Sequence, residues 1–311
     1  MLPVQGEQLM SLTRDQKIGG AFAATAYTLW GIAPLYFKQI DEVPAMEILL
    51  HRIVWSFALL ALVLTVLKQW PKVVAVLQQP KMVLAMLGTA LLLAGNWGLF
   101  IWAVNNHHML DASLGYYINP LLNILLGMLF LGERLRPAQW AAVGLAFSGV
   151  LLQLIHFGSL PWIALVLAGS FALYGLFRKK LATDAIGGLF IESLLLLPLA
   201  LLYWWQFADS PYANLAANAL SLNVWLVAAG VVTTVPLLCF IAAAKRLQLS
   251  TMGFFQYIGP SFMFVFGVYL YNEPLDPSKL LTFGFIWTAL CLYSFDAWRH
   301  LRRQKDPVKN G

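Results

Sequence analysis

Ten apolar runs divide this chain almost from end to end, at 18–37, 48–67, 82–104, 112–131, 138–155, 160–177, 188–205, 222–243, 250–270 and 280–297. Each is close to the roughly 20 residues that a helix needs to cross a hydrocarbon core of about 30 Å. A crossing segment finds no water for its backbone, so it must be a helix or a strand of a closed barrel, and barrel strands need only about ten residues. The runs therefore predict an all-α integral membrane protein of ten transmembrane helices. Composition agrees, with 60% hydrophobic and 11% charged residues, where a soluble domain carries about 25% charged. The net charge of +6 does not imply nucleic acid, because the basic residues sit in short loops and not on one element. Cys239 and Cys291 fall inside apolar runs and read as packing residues without a disulfide.

A second constraint is internal repetition. Shifted by 140 positions, Tyr117 falls on Tyr257, Ile118 on Ile258, Pro120 on Pro260, Glu133 on Glu273, Leu135 on Leu275, Pro137 on Pro277 and Gly144 on Gly284. Leucines match by accident in so apolar a chain. Proline, glutamate and glycine in one register do not. The spacing predicts a first five-helix repeat over 18–155 and a second over 156–297. A cytoplasmic N-terminal segment, 1–17, and a basic cytoplasmic tail, 298–311, flank them. The run after Arg14 and Lys17 lacks a small-residue cleavage site and reads as an uncleaved first helix.

Basic residues orient the runs. With the N-terminus inside, all of the twenty Lys and Arg except Lys38, Arg52 and Lys279 fall on cytoplasmic segments, so both termini are expected in the cytoplasm. Five spans is an odd number, so the second unit enters the membrane from the opposite side. Glu133 and Glu273 should then end their spans on opposite faces. Such inverted 5+5 repeats create two related packings, the usual basis of alternating access.

Local motifs add a resemblance. The segments 27–38 (YTLWGIAPLYFK), 43–56 (VPAMEILLHRIVWS), 96–121 (NWGLFIWAVNNHHMLDASLGYYINPL), 131–137 (LGERLRP) and 243–261 (AAKRLQLSTMGFFQYIGPS) resemble the EamA family of the drug/metabolite transporter superfamily. The likeness covers about 18–297. It implies a ten-helix permease of the bacterial inner membrane.

Candidate site residues are the polar groups inside the runs. Arg52, beside His51, lies about four residues into the second run. An arginine at a helix centre costs roughly 2.5–3.5 kcal/mol, so it faces protein or water and has a partner. An anionic substrate group, a carboxylate or backbone carbonyls could serve, as could snorkelling to the outer interface. Glu47 is on another face, and Asp111 is the better carboxylate. Glu192 stands in the seventh run, the counterpart of the second, about four residues from its cytoplasmic end. It could carry a proton during coupling, or stay hydrated and bridge to Arg178 or Lys179. At those depths Arg52 and Glu192 are too far apart to pair.

Asn96, Asn119, Asn123, Gln153, Thr233, Thr234 and Gln256 form a second polar set. Asn119–Pro120 and Gly259–Pro260 match across the repeat. Proline removes a backbone donor and crowds the preceding turn, so Pro120 and Pro260 are candidate hinges beside a substrate site. Tyr116, Tyr117 and Tyr257 supply amphipathic surface there. Trp30–Gly31 and Tyr174–Gly175 read as repeat mates offset by 144, suited to close helix approach or to a cavity wall. Trp70, Trp140, Trp204 and Trp298 look like interfacial anchors. Gly144 with Ser148, and Gly284 with Thr288, make small-residue faces that could pack within one chain or pair two copies as a homodimer. The tail at 298–305 should contact anionic headgroups.

No nucleotide loop, metal spacing or nucleophile motif is present, and His107–His108 near Asp111 make a poor ligand set. No cofactor, metal or enzymatic activity is expected. The expected function is secondary active transport of a small organic solute, with proton-coupled export preferred. Uptake or exchange of a metabolite, and a non-transporting membrane scaffold, are the alternatives.

Overall fold

The structure is a computed structural model that describes residues 3–106, 108–158, 160–270 and 277–305. Every regular element described is helical: α1 (Pro3–Phe37), α2 (Ala45–Val66), α3 (Trp70–Leu77), α4 (Pro80–Asn105), α5 (Met109–Leu131), α6 (Pro137–Phe157), α7 (Trp162–Lys180), α8 (Ala185–Phe207), α9 (Leu220–Ala244), α10 (Leu249–Gln256), α11 (Ile258–Tyr269) and α12 (Pro277–Lys305). Nine stretches among the described residues are long and apolar enough to span a bilayer. Their outward faces carry large apolar side chains such as Leu84, Leu129 and Trp205, 70%, 67% and 81% exposed. Lipid is the solvent that such a surface fits.

The ninth expected span, 250–270, is instead two helices. Pro260 has no N–H to give the carbonyl of Gln256, so α10 ends there. The Tyr257 N–H bonds back to Phe254 O at 3.3 Å, and the ladder resumes with Ser261 N–H on Tyr257 O at 3.2 Å. Its mate Pro120 does not break α5, which is continuous across it. Two interhelical hydrogen bonds flank Pro120. The Asn119 amide donates to Ala168 O on α7 at 2.7 Å, and Asn123 donates to Gln256 Oε1 on α10 at 2.9 Å. The short helix α3, within an expected loop, and the start of α1 at Pro3, well before residue 18, are further departures. The tail is helical to Lys305.

The main helix contacts follow a pattern. α1 packs on α9 and α11, α2 on α8 and α9, α4 on α7 and α8, α5 on α7 and α10, and α6 on α12. Exchanging α1 with α7, α2 with α8, α4 with α9, α5 with the α10–α11 pair and α6 with α12 returns the same set of contacts. The packing is thus compatible with a 5+5 repeat related by a pseudo-two-fold axis. Close approaches sustain it. A Cβ on Gly253 would sit 2.5 Å from Pro120 O, and one on Gly230 would sit 2.6 Å from the Trp55 backbone.

Loops are tied down by carboxylates. Gly132, at φ +65°, turns the chain out of α5. Glu133 then accepts from Leu249 N at 2.6 Å, Ser250 N at 2.9 Å and Ser250 Oγ at 2.7 Å. Those donors open α10, whose first N–H groups have no partner within the helix. Glu273, the register mate, lies outside the described residues. Glu47 is buried and accepts from Ser210 N at 3.3 Å and Ser210 Oγ at 2.5 Å, anchoring the loop before α9.

Candidate functional site

Where α2, α4, α8 and α9 meet, the structure encloses a cavity of about 10 Å³, room for about one water molecule. Its polar lining is Arg52 and Ser56 from α2, Glu192 and Ser193 from α8, and Thr233 from α9. Trp97 and Leu93 of α4, with Ile53, Leu189, Leu196 and Leu237, complete it. Ten of these eleven residues form pairs 140 positions apart: Arg52 with Glu192, Ile53 with Ser193, Ser56 with Leu196, Leu93 with Thr233, and Trp97 with Leu237. The cavity therefore sits on the axis implied by the helix contacts.

Arg52 is part-buried. Its Nε–H donates to Thr233 Oγ1 at 2.8 Å, and its guanidinium carbon lies 4.3 Å from the Trp97 ring centroid and 5.8 Å from that of Phe37. The phenols of Tyr36 and Tyr116 are within electrostatic reach. Its partners are thus a hydroxyl and aromatic faces, which attract a cation through the ring quadrupole. The expected partner Asp111 has a side chain outside the described residues.

Glu192 is held differently. It is 1% exposed, accepts from Thr89 Oγ1 at 2.6 Å and Tyr174 OH at 3.2 Å, and faces Arg178 Nε at 3.6 Å. Arg178 is fully buried. Its Nη1 donates to Thr183 Oγ1 at 3.1 Å, while Nε and Nη2 have no hydrogen-bond partner among the described residues. The ion pair is therefore electrostatic, without a direct hydrogen bond. Gly188, one turn before Glu192, makes the slot: a Cβ there would overlap the Arg178 guanidinium. Next to it, Lys179 caps the carbonyls of Ala244 and Leu247 at the end of α9, and Lys245 reaches those of Leu181 and Thr183 beyond α7. Burial first, then the charge of Arg178, pushes the Lys245 pKa below its ordinary value.

Two expectations are corrected here. Glu192 faces Arg178, one of the partners open to it, but at 1% exposure it does not stand at the interface, and Arg178 is buried within α7 instead of lying in a loop. Arg52 and Glu192 do not pair, yet they share one cavity. The helices begin at Ala45 and Ala185, three residues before the apolar runs. Each charge is the eighth residue of its helix, about 10 Å deep at 1.5 Å per residue, and both side chains are long.

The other candidates lie elsewhere. His51 is 1% exposed on the far side of α2, accepting from Trp55 Nε1 at 3.1 Å and packed edge-on against Trp204 at 4.7 Å. Asn96 ties α4 to α7 through Leu167 O at 2.8 Å and Ser170 Oγ at 2.9 Å. Asn119, Asn123 and Gln256 form a buried ladder between α5 and α10, with Asn123 donating to Asn119 Oδ1 at 3.0 Å. The Tyr257 hydroxyl donates to the carbonyl of its own mate, Tyr117, at 3.3 Å, and the Tyr117 ring meets Phe283 at 5.7 Å. Tyr116 packs near Phe100 at 6.3 Å. Trp30 and Tyr174 both contact Phe171 and Phe240, at 5.6 and 5.8 Å for Trp30 and 6.0 and 6.2 Å for Tyr174. Of this set Tyr174 touches the cavity residue Glu192, and the Tyr116 phenol is within electrostatic reach of Arg52. Trp97, Thr89 and Arg178 were missed as functional candidates, although the register shift that pairs Trp97 with Leu237 could have drawn attention to the first.

Comparisons with known proteins agree with this architecture. The EamA-like transporter family matches residues 17–155. Protein RarD of Salmonella typhimurium (strain LT2) is 58% identical over 284 residues, 91% of this chain and 97% of that protein. Protein RarD of Escherichia coli (strain K12) is 55% identical over 290 residues, 93% and 98%. An uncharacterized transporter of Vibrio cholerae serotype O1 is 57% identical over 283 residues, 91% and 94%. A crystal structure of a protein shares the fold, with a TM-score of 0.69 at 18% identity, covering 89% of this chain and 97% of its own. The family and the Vibrio cholerae relative are named as transporters. The chain is therefore a multi-pass membrane protein of the EamA-like transporter family, on its RarD branch.

Proposed function

We propose that this chain is a secondary active transporter that exports a small organic solute by alternating access, coupled to protons through Glu192. The observation that carries the reading is the charged cavity on the line where the two halves meet, lined by pairs of register mates. At about 10 Å³ the cavity has room for about one water, so a solute enters it only when α2, α4, α8 and α9 part. Inverted repeats offer two such partings, one toward each side of the membrane.

Glu192 links protonation to that movement. As a carboxylate it accepts hydrogen bonds from α4 through Thr89 and from α7 through Tyr174, and it attracts Arg178 on α7. A proton on Glu192 cancels the charge that Arg178 faces and weakens both hydroxyl contacts, loosening α8 from α4 and α7. The charge bias of the loops supports the bacterial inner membrane with both termini in the cytoplasm.

Proteoliposomes with and without an imposed proton gradient test the reading. Gradient-dependent flux of a solute from a broad panel, lost in Arg52→Ala and uncoupled from the gradient in Glu192→Gln, is the expected result. Full flux in both variants would remove the site assignment, and no flux for any solute would remove the transport reading. Reporters on the 131–137 and 271–277 loops should be accessible from opposite compartments; access from one side would remove the inverted repeat.

A further inference from the structure

Among the described residues, the two cationic groups and one carboxylate at and beside the cavity do not balance. Glu192 is engaged by Arg178, Thr89 and Tyr174. Arg52 has no salt-bridge partner among the described residues. Of its five N–H donors, the one with a described partner is Nε–H, on Thr233 Oγ1. A charge at this depth in a membrane ordinarily faces a counter-ion or a water-filled cavity. Here it lines the cavity and is steadied by neutral groups.

We propose that Arg52 binds the carboxylate of the transported solute, and that the solute is an organic monoanion with an apolar body. This rests on the transport reading above. Three features support it. The planar guanidinium presents paired N–H donors that match a carboxylate in bidentate fashion. Trp97, 4.3 Å from the guanidinium carbon, and Thr233 at Nε hold the group while both Nη nitrogens are left without a hydrogen-bond partner among the described residues. The rest of the lining is Ile53, Leu93, Leu189, Leu196 and Leu237, with two serines, which suits an apolar body and offers no free charge to a second ionic group. A solute cation would have to displace Arg178 from Glu192 while lying beside Arg52. That disfavours amines.

The test is equilibrium binding to the purified full-length chain. The probes are radiolabelled hexanoate, phenylacetate and indole-3-acetate, each against its amide, together with phenethylamine. At least one acid should bind tenfold or more tightly than its amide and than phenethylamine. That preference should vanish in Arg52→Gln and shrink several-fold in Arg52→Lys, which keeps the charge and loses the fork. Melting temperatures of both variants show whether each is folded, and the acid–amide comparison in the unmodified chain needs no variant. If no acid is bound better than its amide, if phenethylamine is preferred, or if folded Arg52→Gln keeps the preference, the proposal is overturned. Gradient-driven flux without an acid preference would leave the transport reading standing. An acid preference without flux would leave the site and remove the transporter.

Discussion

Arg52 and Glu192 occupy the same register position in the two halves of the chain, yet their surroundings differ. Arg52 rests on one hydroxyl and on aromatic faces, and it is part-buried. Glu192 is sealed, with two hydroxyl donors and a fully buried arginine. Among the described residues, one charge of this pair is met by an opposite charge and the other by neutral groups. The saturated position belongs to the protein's own machinery, and the unsaturated one is where an outside group has something to add.

Substitutions can break this contrast. The largest effect should follow Arg178→Gln, which leaves Glu192 without its counter-charge; breaking a buried pair costs about 3–5 kcal/mol, read as a large fall in melting temperature in detergent. Arg52→Gln should change stability far less while removing flux. Equal losses of stability in the two variants would erase the distinction. Gly188→Ala comes next, at about 1–3 kcal/mol for overpacking, because the methyl group displaces the Arg178 guanidinium. Its melting curve should approach that of Arg178→Gln. The threonines give the finest comparison. Polar contacts between membrane helices average about 0.6 kcal/mol and reach about 1.7; Thr89→Val should fall near the upper value and Thr233→Val near the average. A reversal of that order, measured by unfolding in mixed micelles, would argue that Arg52 and not Glu192 is the structural charge.

The helical scaffold could be read from the chain because lipid imposes a simple rule, a long apolar run for each crossing. The repeat that Pro120 and Pro260, Glu133 and Glu273 suggest in the sequence is compatible with the helix packing. Depth could not be read in the same way. An apolar run starts where the polar residues stop, whereas α2 and α8 begin three residues earlier, and that turn brings Arg52 and Glu192 to one cavity. Arg178 was hidden for a related reason. Followed by Lys179 and Lys180, it has the pattern of a cytoplasmic cap, and only the slot left by Gly188 on a different helix draws it inward. The asparagines read as candidate cavity residues are interhelical ties, since an isolated polar residue in an apolar run looks the same whether it meets a solute or a neighbouring backbone. Pro120 and Pro260 differ although the sequence offers both as hinges: α5 is continuous across Pro120, whereas the helix is interrupted at Tyr257 before Pro260.

The interruption at Tyr257 has a mechanical consequence. Below it, α10 is fastened to α5 and to Glu133; above it, α11 lies against α1. Both segments touch α1, α11 more extensively than α10, and the missing rung between them lets the angle there change at a point where the ladder is already interrupted. A tilt of α1 could therefore carry α11 along while α10 stays anchored, so one crossing of the membrane can be still at one end and swing at the other.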